Sequence, residues 1–369
     1  MSVNVLEIGE MIGKLFPLKY ACDWDNSGFQ VNMHNSTGSV LVCLDVTPEI
    51  VQEAADTGCG MIVSHHPLLF RPVGRLDTDG YVGACVAALV KNGISLYSAH
   101  TSVDNAKNGL NDCLANMIGL ENRRFLAEAV PGRFFKIAVT VPDAYETAIV
   151  EALHQAGAGE LGNYRGCYYS VEGTGSFIPG EGADPFIGSE GRREIVREKS
   201  IQALVPQERL SGAICAVRQA HPYEEPAIDV FVLEGPDVSV AGSGMIGDLK
   251  EPAKVIDILE TLKQVLPEAA LRFRGNENDM VSRVAVCGGA GGDFIEEARR
   301  QGAQMYVTGE IKHNMYVETN MNLVEAGHYA TEYCFCGLMA ESLQKALIDV
   351  KYNVTVKVAE KMEAPYKYY

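Results

Sequence analysis

Short apolar runs that alternate with amphipathic segments are the feature that most constrains how this 369-residue chain can fold. Such runs carry no polar face, which is typical of strands in a parallel sheet covered on both sides. The segments between them have helical spacing, and Thr47-Pro48-Glu49 has the residue types that begin a helix. The pattern therefore predicts a doubly wound α/β fold. In the first part of the chain the apolar runs are residues 40–44, 60–63 and 94–98.

The same order of elements returns from about residue 283, with apolar runs at residues 284–287, 305–307 and 322–325. Met61-Ile62-Val63-Ser64 matches Met305-Tyr306-Val307-Thr308. Likewise, His100-Thr101-Ser102-Val103-Asp104 matches His328-Tyr329-Ala330-Thr331-Glu332. An internal duplication explains both matches. We therefore expect two duplicated α/β halves that present equivalent strand ends to one shared site.

The segment between the halves has a different order of elements, strand-helix-strand-strand-helix-strand, which is that of a ferredoxin-like α+β domain. Its glycine-rich run 173–191 is expected to be a long hairpin loop between strands 164–172 and 193–205. His221-Pro222 joins a helix to a strand, where a rigid turn is favoured over a metal site. The predicted domains are residues 1–130, an inserted domain at 131–235, and residues 236–369.

Histidines and carboxylates gather at the predicted strand ends. His65 and His66 follow the second apolar run, and because neighbouring strand residues face opposite ways, they either sit in a turn or serve two ions. The pairs His100/Asp104 and His328/Glu332 share an i, i+4 spacing, which places both side chains on one face of a helical turn.

These residues form a mixed nitrogen and oxygen set, which suits zinc, iron or manganese and suits calcium poorly. Five ligands exceed the need of one tetrahedral zinc, and a carboxylate can bridge two ions. We therefore predict two divalent metal ions, zinc being the first expectation. The alternative is that these are unrelated polar residues at strand ends. The predicted ligands are His65, His66, Asp104, His328 and Glu332.

Other polar segments have more than one interpretation. Glu310 and His313 suit a general acid or base, hydrogen-bond partners of ligating imidazoles, or a plain polar loop. The run Gly288–Asp293 suits a phosphate site or a tight turn, because it follows a strand and opens a helix. The loop 23–29, which contains Trp24 and Asp25, is interpreted as a structural turn rather than as part of a site.

Charge and composition exclude several classes of protein. The formal net charge of −17 argues against a broad surface for nucleic acid or anionic lipid. Residues 1–18 lack the pattern of a secretory signal, and no apolar run is long enough to span a membrane. The ten cysteines contain no C-x-x-C pair, which is typical of free thiols in a reducing compartment. We expect a cytoplasmic protein.

The combined motifs resemble those of the NIF-three-like proteins, also called GTP cyclohydrolase I type 2 homologues. The motifs are Ser64-His65-His66-Pro67, Ser98-Ala99-His100-Thr101 with Asp104, Thr308-Gly309-Glu310, and Gly327-His328 through Glu332, with Asp25-Asn26 and Gly28 also fitting. The resemblance covers about residues 1–130 and 235–369, and the middle segment resembles the CutA-like or PII-like insert of longer members.

This resemblance implies a toroidal homohexamer with a dinuclear metal centre facing an internal cavity, in which Glu332 bridges the ions. We expect a metal-dependent hydrolase of a nucleotide or related small phosphorylated or heterocyclic molecule, with His100 and Glu310 as catalytic proton carriers. The alternative is a hexameric scaffold or metal-responsive binding protein. A centre without thiolates favours the hydrolase, because structural zinc sites are usually closed and rich in cysteine.

Overall fold

A computed structural model describes residues 2–161, 164–266 and 269–367, with side chains outside 128–133 and 234–239. The chain separates into two compact units. Unit 1 consists of residues 1–130 and 239–369, and unit 2 of residues 131–238. No helix in the described ranges is long and apolar enough to cross a membrane.

The strands are β1 (Val3–Asn4), β2 (Gly28–Val31), β3 (Ser36–Thr37), β4 (Ser39–Cys43), β5 (Met61–Ser64), β6 (Ser95–Ser98), β7 (Leu120–Pro142), β8 (Tyr169–Phe177), β9 (Glu194–Pro206), β10 (Ile228–Lys254), β11 (Arg272–Arg274), β12 (Met280–Cys287), β13 (Met305–Thr308), β14 (Asn322–Glu325) and β15 (Thr355–Val358). The α-helices are α1 (Val5–Leu15), α2 (Pro48–Asp56), α3 (Tyr81–Lys91), α4 (Thr101–Asp104), α5 (Leu110–Met117), α6 (Glu146–Gln155), α7 (Gln207–Ala220), α8 (Val255–Val265), α9 (Ile295–Arg300), α10 (His313–Glu318), α11 (His328–Glu332) and α12 (Cys334–Asp349).

The first sheet of unit 1 has the order β15-β4-β5-β6-β2. Its first four strands are parallel and β2 runs antiparallel to β6. Helices α1 and α12 contribute to the core on one face, and α2 and α3 to the core on the other. Every residue of β5 and β6 is buried, which is why these strands lack a polar face.

The second sheet of unit 1 includes the order β11-β14-β13-β12-β10. Strands β12, β13 and β14 are parallel, and β10 and β11 run antiparallel to their neighbours. Helices α5 and α8 pack in one core and α9 in another. The mixed α/β fold is therefore confirmed, whereas a common origin of the two halves stays a prediction.

Unit 2 places β7 between β9 and β10, and β9 between β7 and β8, with α6 and α7 contributing to its core. The predicted positions of the hairpin strands are partly wrong. Strand β8 covers Tyr169–Phe177 rather than 164–172, so the connection to β9 is shorter than the predicted loop 173–191. The ladder with β9 keeps Gly173 and Gly175 extended, although glycine itself disfavours a strand.

Candidate metal centre

The carboxyl end of β5 places His65 and His66 beside each other. The strand ends at Ser64, so both histidines lie in the following turn, where the alternation of strand side chains no longer separates them. His66 Nε2 lies 2.9 Å from Glu332 Oε2, and His65 Nε2 lies 3.7 Å from Glu332 Oε1. The two adjacent imidazoles therefore reach one carboxylate.

Two short helices supply the remaining predicted ligands. In α11, His328 Nε2 lies 3.0 Å from Glu332 Oε2, one helical turn away, as the i, i+4 spacing predicts. Helix α4 brings Asp104 Oδ1 to 3.6 Å from His65 Nε2. Ligand atoms from residues more than 220 positions apart thus meet at the strand ends of the two sheets.

The ligand atoms form two overlapping groups, each with its members within 4.8 Å of one another. One group is His65, His66 and His100, and the other is His66, His328 and Glu332. His100 therefore also lies within reach of the predicted ligands, whereas the sequence suggested a proton carrier. Asp104 contacts His65 from outside both groups. The structure places the side chains of all five predicted ligands, together with that of His100, in one cluster.

Each of the four histidines has its Nδ1 held by an oxygen atom. The acceptors are the Ala99 carbonyl for His65 (3.0 Å), Asp45 for His66 (2.8 Å), Asp25 for His100 (2.8 Å) and Glu310 for His328 (2.7 Å). A hydrogen on Nδ1 leaves the Nε2 lone pair of a neutral imidazole available, which is the usual arrangement around ligating histidines. All four Nε2 atoms are thus suited to bind a cation.

Asp45 is a functional candidate that the sequence did not identify, and Asp25 is one whose loop the sequence analysis interpreted as a structural turn. Asp25 lies in the loop interpreted as a structural turn, yet it also accepts hydrogen bonds from the hydroxyls of Ser27 and Thr101, both at 2.6 Å. These bonds and the His100 contact outweigh burial, so the pKa of Asp25 is lowered. Asp45 follows β4, and only the pairing of β4 with β5 brings it to His66.

Burial and charge shift the pKa values of the central groups. Burial alone would raise the pKa of Glu332, but its contacts with His328, His65 and His66 hold that pKa well below the ordinary value. Burial opposes protonation of His66 and His328, but neighbouring carboxylates raise their pKa values to about 10 and about 9. For Asp104, burial outweighs the attraction of His65, so its pKa is raised.

Three buried polar atoms in this cluster lack a hydrogen-bond partner among the described residues: His65 Nε2, Asp104 Oδ1 and Glu332 Oε2. The short contacts of Glu332 Oε2 are ion pairs that lack hydrogen-bond geometry. Buried polar atoms are almost always satisfied, and these three belong to residues whose side chains neighbour one another. The residues therefore fit divalent cations, which would satisfy all three atoms.

The remaining polar candidates separate clearly. The Glu310 carboxylate is the hydrogen-bond partner of His328, a predicted ligand, and this is one of the roles that the sequence offered for Glu310. His313 is exposed at the start of α10. In the glycine run, Gly288, Gly289 and Gly291 donate their N–H groups to protein side chains. The phosphate interpretation is therefore not supported, and the tight-turn alternative describes this segment.

Two exposed aromatic side chains border the cluster. The Trp24 ring lies 5.9 Å from the His100 ring, and the Phe70 ring lies 6.2 Å from it, both edge to face. Trp24 is 62% exposed and Phe70 is 47% exposed. Aromatic faces open to solvent beside charged groups suit a planar ring in a ligand.

Comparison with known proteins places this arrangement in a family. The family Duf34/NIF3 (NGG1p interacting factor 3) matches residues 3–365. Proteins called "GTP cyclohydrolase 1 type 2 homolog" are similar to this chain over its whole length. The one from Halalkalibacterium halodurans is 33% identical and covers 98% of both chains. The one from Bacillus subtilis is 34% identical and covers 100% of this chain and 99% of its own. A crystal structure of a Bacillus cereus protein related to NIF3 has a TM-score of 0.90 and 35% identity, covering 100% of this chain and 99% of its own. The chain therefore belongs to the Duf34/NIF3 family.

Proposed function

We propose that this protein is a metal-dependent hydrolase of a small heterocyclic or phosphorylated molecule, such as a nucleotide. The observation that carries the proposal is that His65 lies within 3.7 Å of the carboxylates of Asp104 and Glu332, and that each of these three residues buries a polar atom without a hydrogen-bond partner among the described residues. Such a cluster would be unfavourable without a cation, because buried polar atoms are otherwise left unsatisfied.

The residues that would hold two divalent ions are His65, His66, Asp104, His328 and Glu332. The two overlapping ligand groups support two positions. Imidazole and carboxylate ligands accept zinc, iron or manganese, and zinc is the first candidate. When bound, such ions lower the pKa of a water molecule and stabilise negative charge on a substrate oxygen.

Side chains around the metal ligands would transfer protons and hold the substrate. His100, oriented by Asp25, is placed to accept or return a proton at Nε2, unless it serves as a ligand. Glu310 has a 59% exposed side chain and can exchange a proton with solvent beside His328. Trp24 and Phe70 would hold a planar heterocycle against the centre. The name of the relatives makes GTP a reasonable first test substrate.

The proposal also includes features for which the family resemblance is the support. These are assembly into a homohexamer and residues 131–235 as an inserted CutA-like or PII-like domain between duplicated halves. A cytoplasmic location is supported by the ten cysteines, all of which are free thiols in a chain without a C-x-x-C pair.

The first experiment is elemental analysis of the purified protein beside Glu332→Gln, with a hydrolysis screen of nucleotides and phosphoesters on both. Glu341→Gln is the matched control, because Glu341 lies exposed on α12. We expect about two metal ions per chain and an activity, both lost in Glu332→Gln and kept in the control. Metal without hydrolysis of any substrate would favour the scaffold or metal-responsive binding protein. Protein without metal would refute the proposal.

A further inference from the structure

Unit 2 contains an open cavity of about 440 Å3. Its walls come from β8, from the connection between β8 and β9, from β9 itself, and from the turn that follows α7. This volume lies in the range of pockets that bind small molecules. The cavity lies within unit 2 and uses none of the metal-centre residues.

Aromatic rings form one side of this cavity. The ring centroids of Phe177 and Tyr223 are 5.9 Å apart, and those of Phe186 and Tyr223 are 6.3 Å apart. Phe186 is 50% exposed and is held edge-on by Tyr145 at 5.7 Å. Three rings from three segments of the chain therefore line one side of a cavity that remains open to solvent.

A buried carboxylate faces the same space. Glu198 on β9 is only 8% exposed, and Tyr223 Oη donates a hydrogen bond to its Oε1 at 2.8 Å. Gly175 leaves room for the carboxylate, because a Cβ there would overlap Glu198 Oε2. The position of the Glu198 carboxylate therefore explains why β8 has a glycine at residue 175.

No basic side chain among the described residues pairs with Glu198. Its neighbours in β9 are already paired, Arg197 with Glu172 and Lys199 with Glu146. His221 adds no positive charge, since Nε2 contacts the Thr140 carbonyl and Nδ1 accepts the Tyr223 N–H, and burial lowers its pKa. Burial and the Glu198 contact raise the pKa of Tyr223, so its hydroxyl stays a donor. A buried carboxylate normally requires a positive partner.

We propose that this cavity binds a small organic cation with an ammonium group, positioned between the carboxylate of Glu198 and the rings of Phe177, Phe186 and Tyr223. Aromatic faces attract cations and do not attract anions. Glu224 and Glu225, which also line the cavity, further disfavour an anionic ligand. A neutral apolar ligand would leave the charge of Glu198 uncompensated.

The test is calorimetric titration of the full chain with choline and with 3,3-dimethylbutan-1-ol, its neutral isostere. We expect choline to bind at least about tenfold more tightly, because only choline compensates the carboxylate. Glu198→Gln should weaken choline binding about tenfold, whereas Glu208→Gln, a change at an exposed carboxylate at the start of α7, should leave it unchanged.

A second variant separates binding from folding. Phe186→Leu keeps an apolar side chain at a half-exposed position but removes the ring, so it should fold and weaken choline binding about threefold. Equal binding of choline and its neutral isostere would overturn the proposal. So would the absence of heat with choline and with n-butylammonium at millimolar concentration, or full affinity in both Glu198→Gln and Phe186→Leu.

Discussion

Asp45 accepts a hydrogen bond from His66 Nδ1 at 2.8 Å, and the opposite nitrogen of the same ring lies 2.9 Å from Glu332. Asp45 thereby orients His66 without belonging to either ligand group. We predict that Asp45→Ala weakens metal binding about 10- to 100-fold, the usual effect of removing such a partner. Competition with a chromogenic chelator measures this. Asp56→Ala, at an exposed residue of α2, serves as the control; equal affinities of the two variants would contradict the assigned role.

Metal binding should release protons at neutral pH. The pKa values of His66 and His328 are raised to about 10 and about 9, so at pH 7 both imidazoles of the metal-free protein carry two protons. A cation must displace one proton from each, and the raised pKa of Asp104 acts in the same direction. We predict release of about two protons and an affinity that rises with pH up to about 10, the pKa of His66. Calorimetry in buffers of different ionisation enthalpy measures the number, and an affinity independent of pH would contradict the prediction.

Gly309 permits the close approach of α11 to the end of β13. A Cβ at this position would lie 2.5 Å from the Gly289 carbonyl oxygen and 2.9 Å from His328 Cα, both backbone atoms. We predict that Gly309→Ala destabilises the protein by about 1–3 kcal/mol and lowers metal affinity, because His328 must move. Urea denaturation and the chelator assay measure both effects.

Gly13→Ala is the matched control for this glycine. Gly13 lies inside α1, and a Cβ there would meet no atom within 4 Å. The substitution Gly13→Ala should stabilise the protein by about 0.5–1 kcal/mol, because alanine favours a helix more than glycine does. Destabilisation by both substitutions to the same extent would show that Gly309 has no special steric role.

Trp24 should act on substrate binding rather than on chemistry. Its ring is exposed and borders His100 without contributing a ligand atom. For a heterocyclic substrate found in the hydrolysis screen, we predict that Trp24→Ala raises KM about three- to tenfold with little change in kcat. Trp24→Phe should retain most of the affinity. A phosphoester without a planar ring should show no change, and an equal loss for both kinds of substrate would contradict stacking.

The sequence predicted those parts of the molecule that depend on local patterns. The strand before His65 and the helical turns at His100/Asp104 and His328/Glu332 follow from short-range spacing, and all three are where they were expected. Their meeting at one site was predicted only through the matching of the two halves. Local periodicity and one long-range similarity were therefore sufficient to predict that these residues lie close together, and their binding of metal stays a prediction.

Features that depend on neighbouring strands could not be predicted in this way. Asp45 and Asp25 reach histidines 21 and 75 residues away through strand pairing and loop packing, which the local pattern of residues around each aspartate does not reveal. The position of β8 was wrong because its glycines disfavour a strand, whereas the ladder with β9 and the space needed by Glu198 decide the conformation.

Strand β15 has a consequence for the biosynthesis of the protein. Residues 355–358 pair with residues 39–42 and cover the edge of β4. Until the ribosome has made and released those later residues, β4 presents an open edge to other nascent chains. Any folding of the first sheet before residues 355–358 are made would therefore leave an unpaired edge at β4. We expect chaperones that shield β-edges to influence the yield of this protein more than its final stability does.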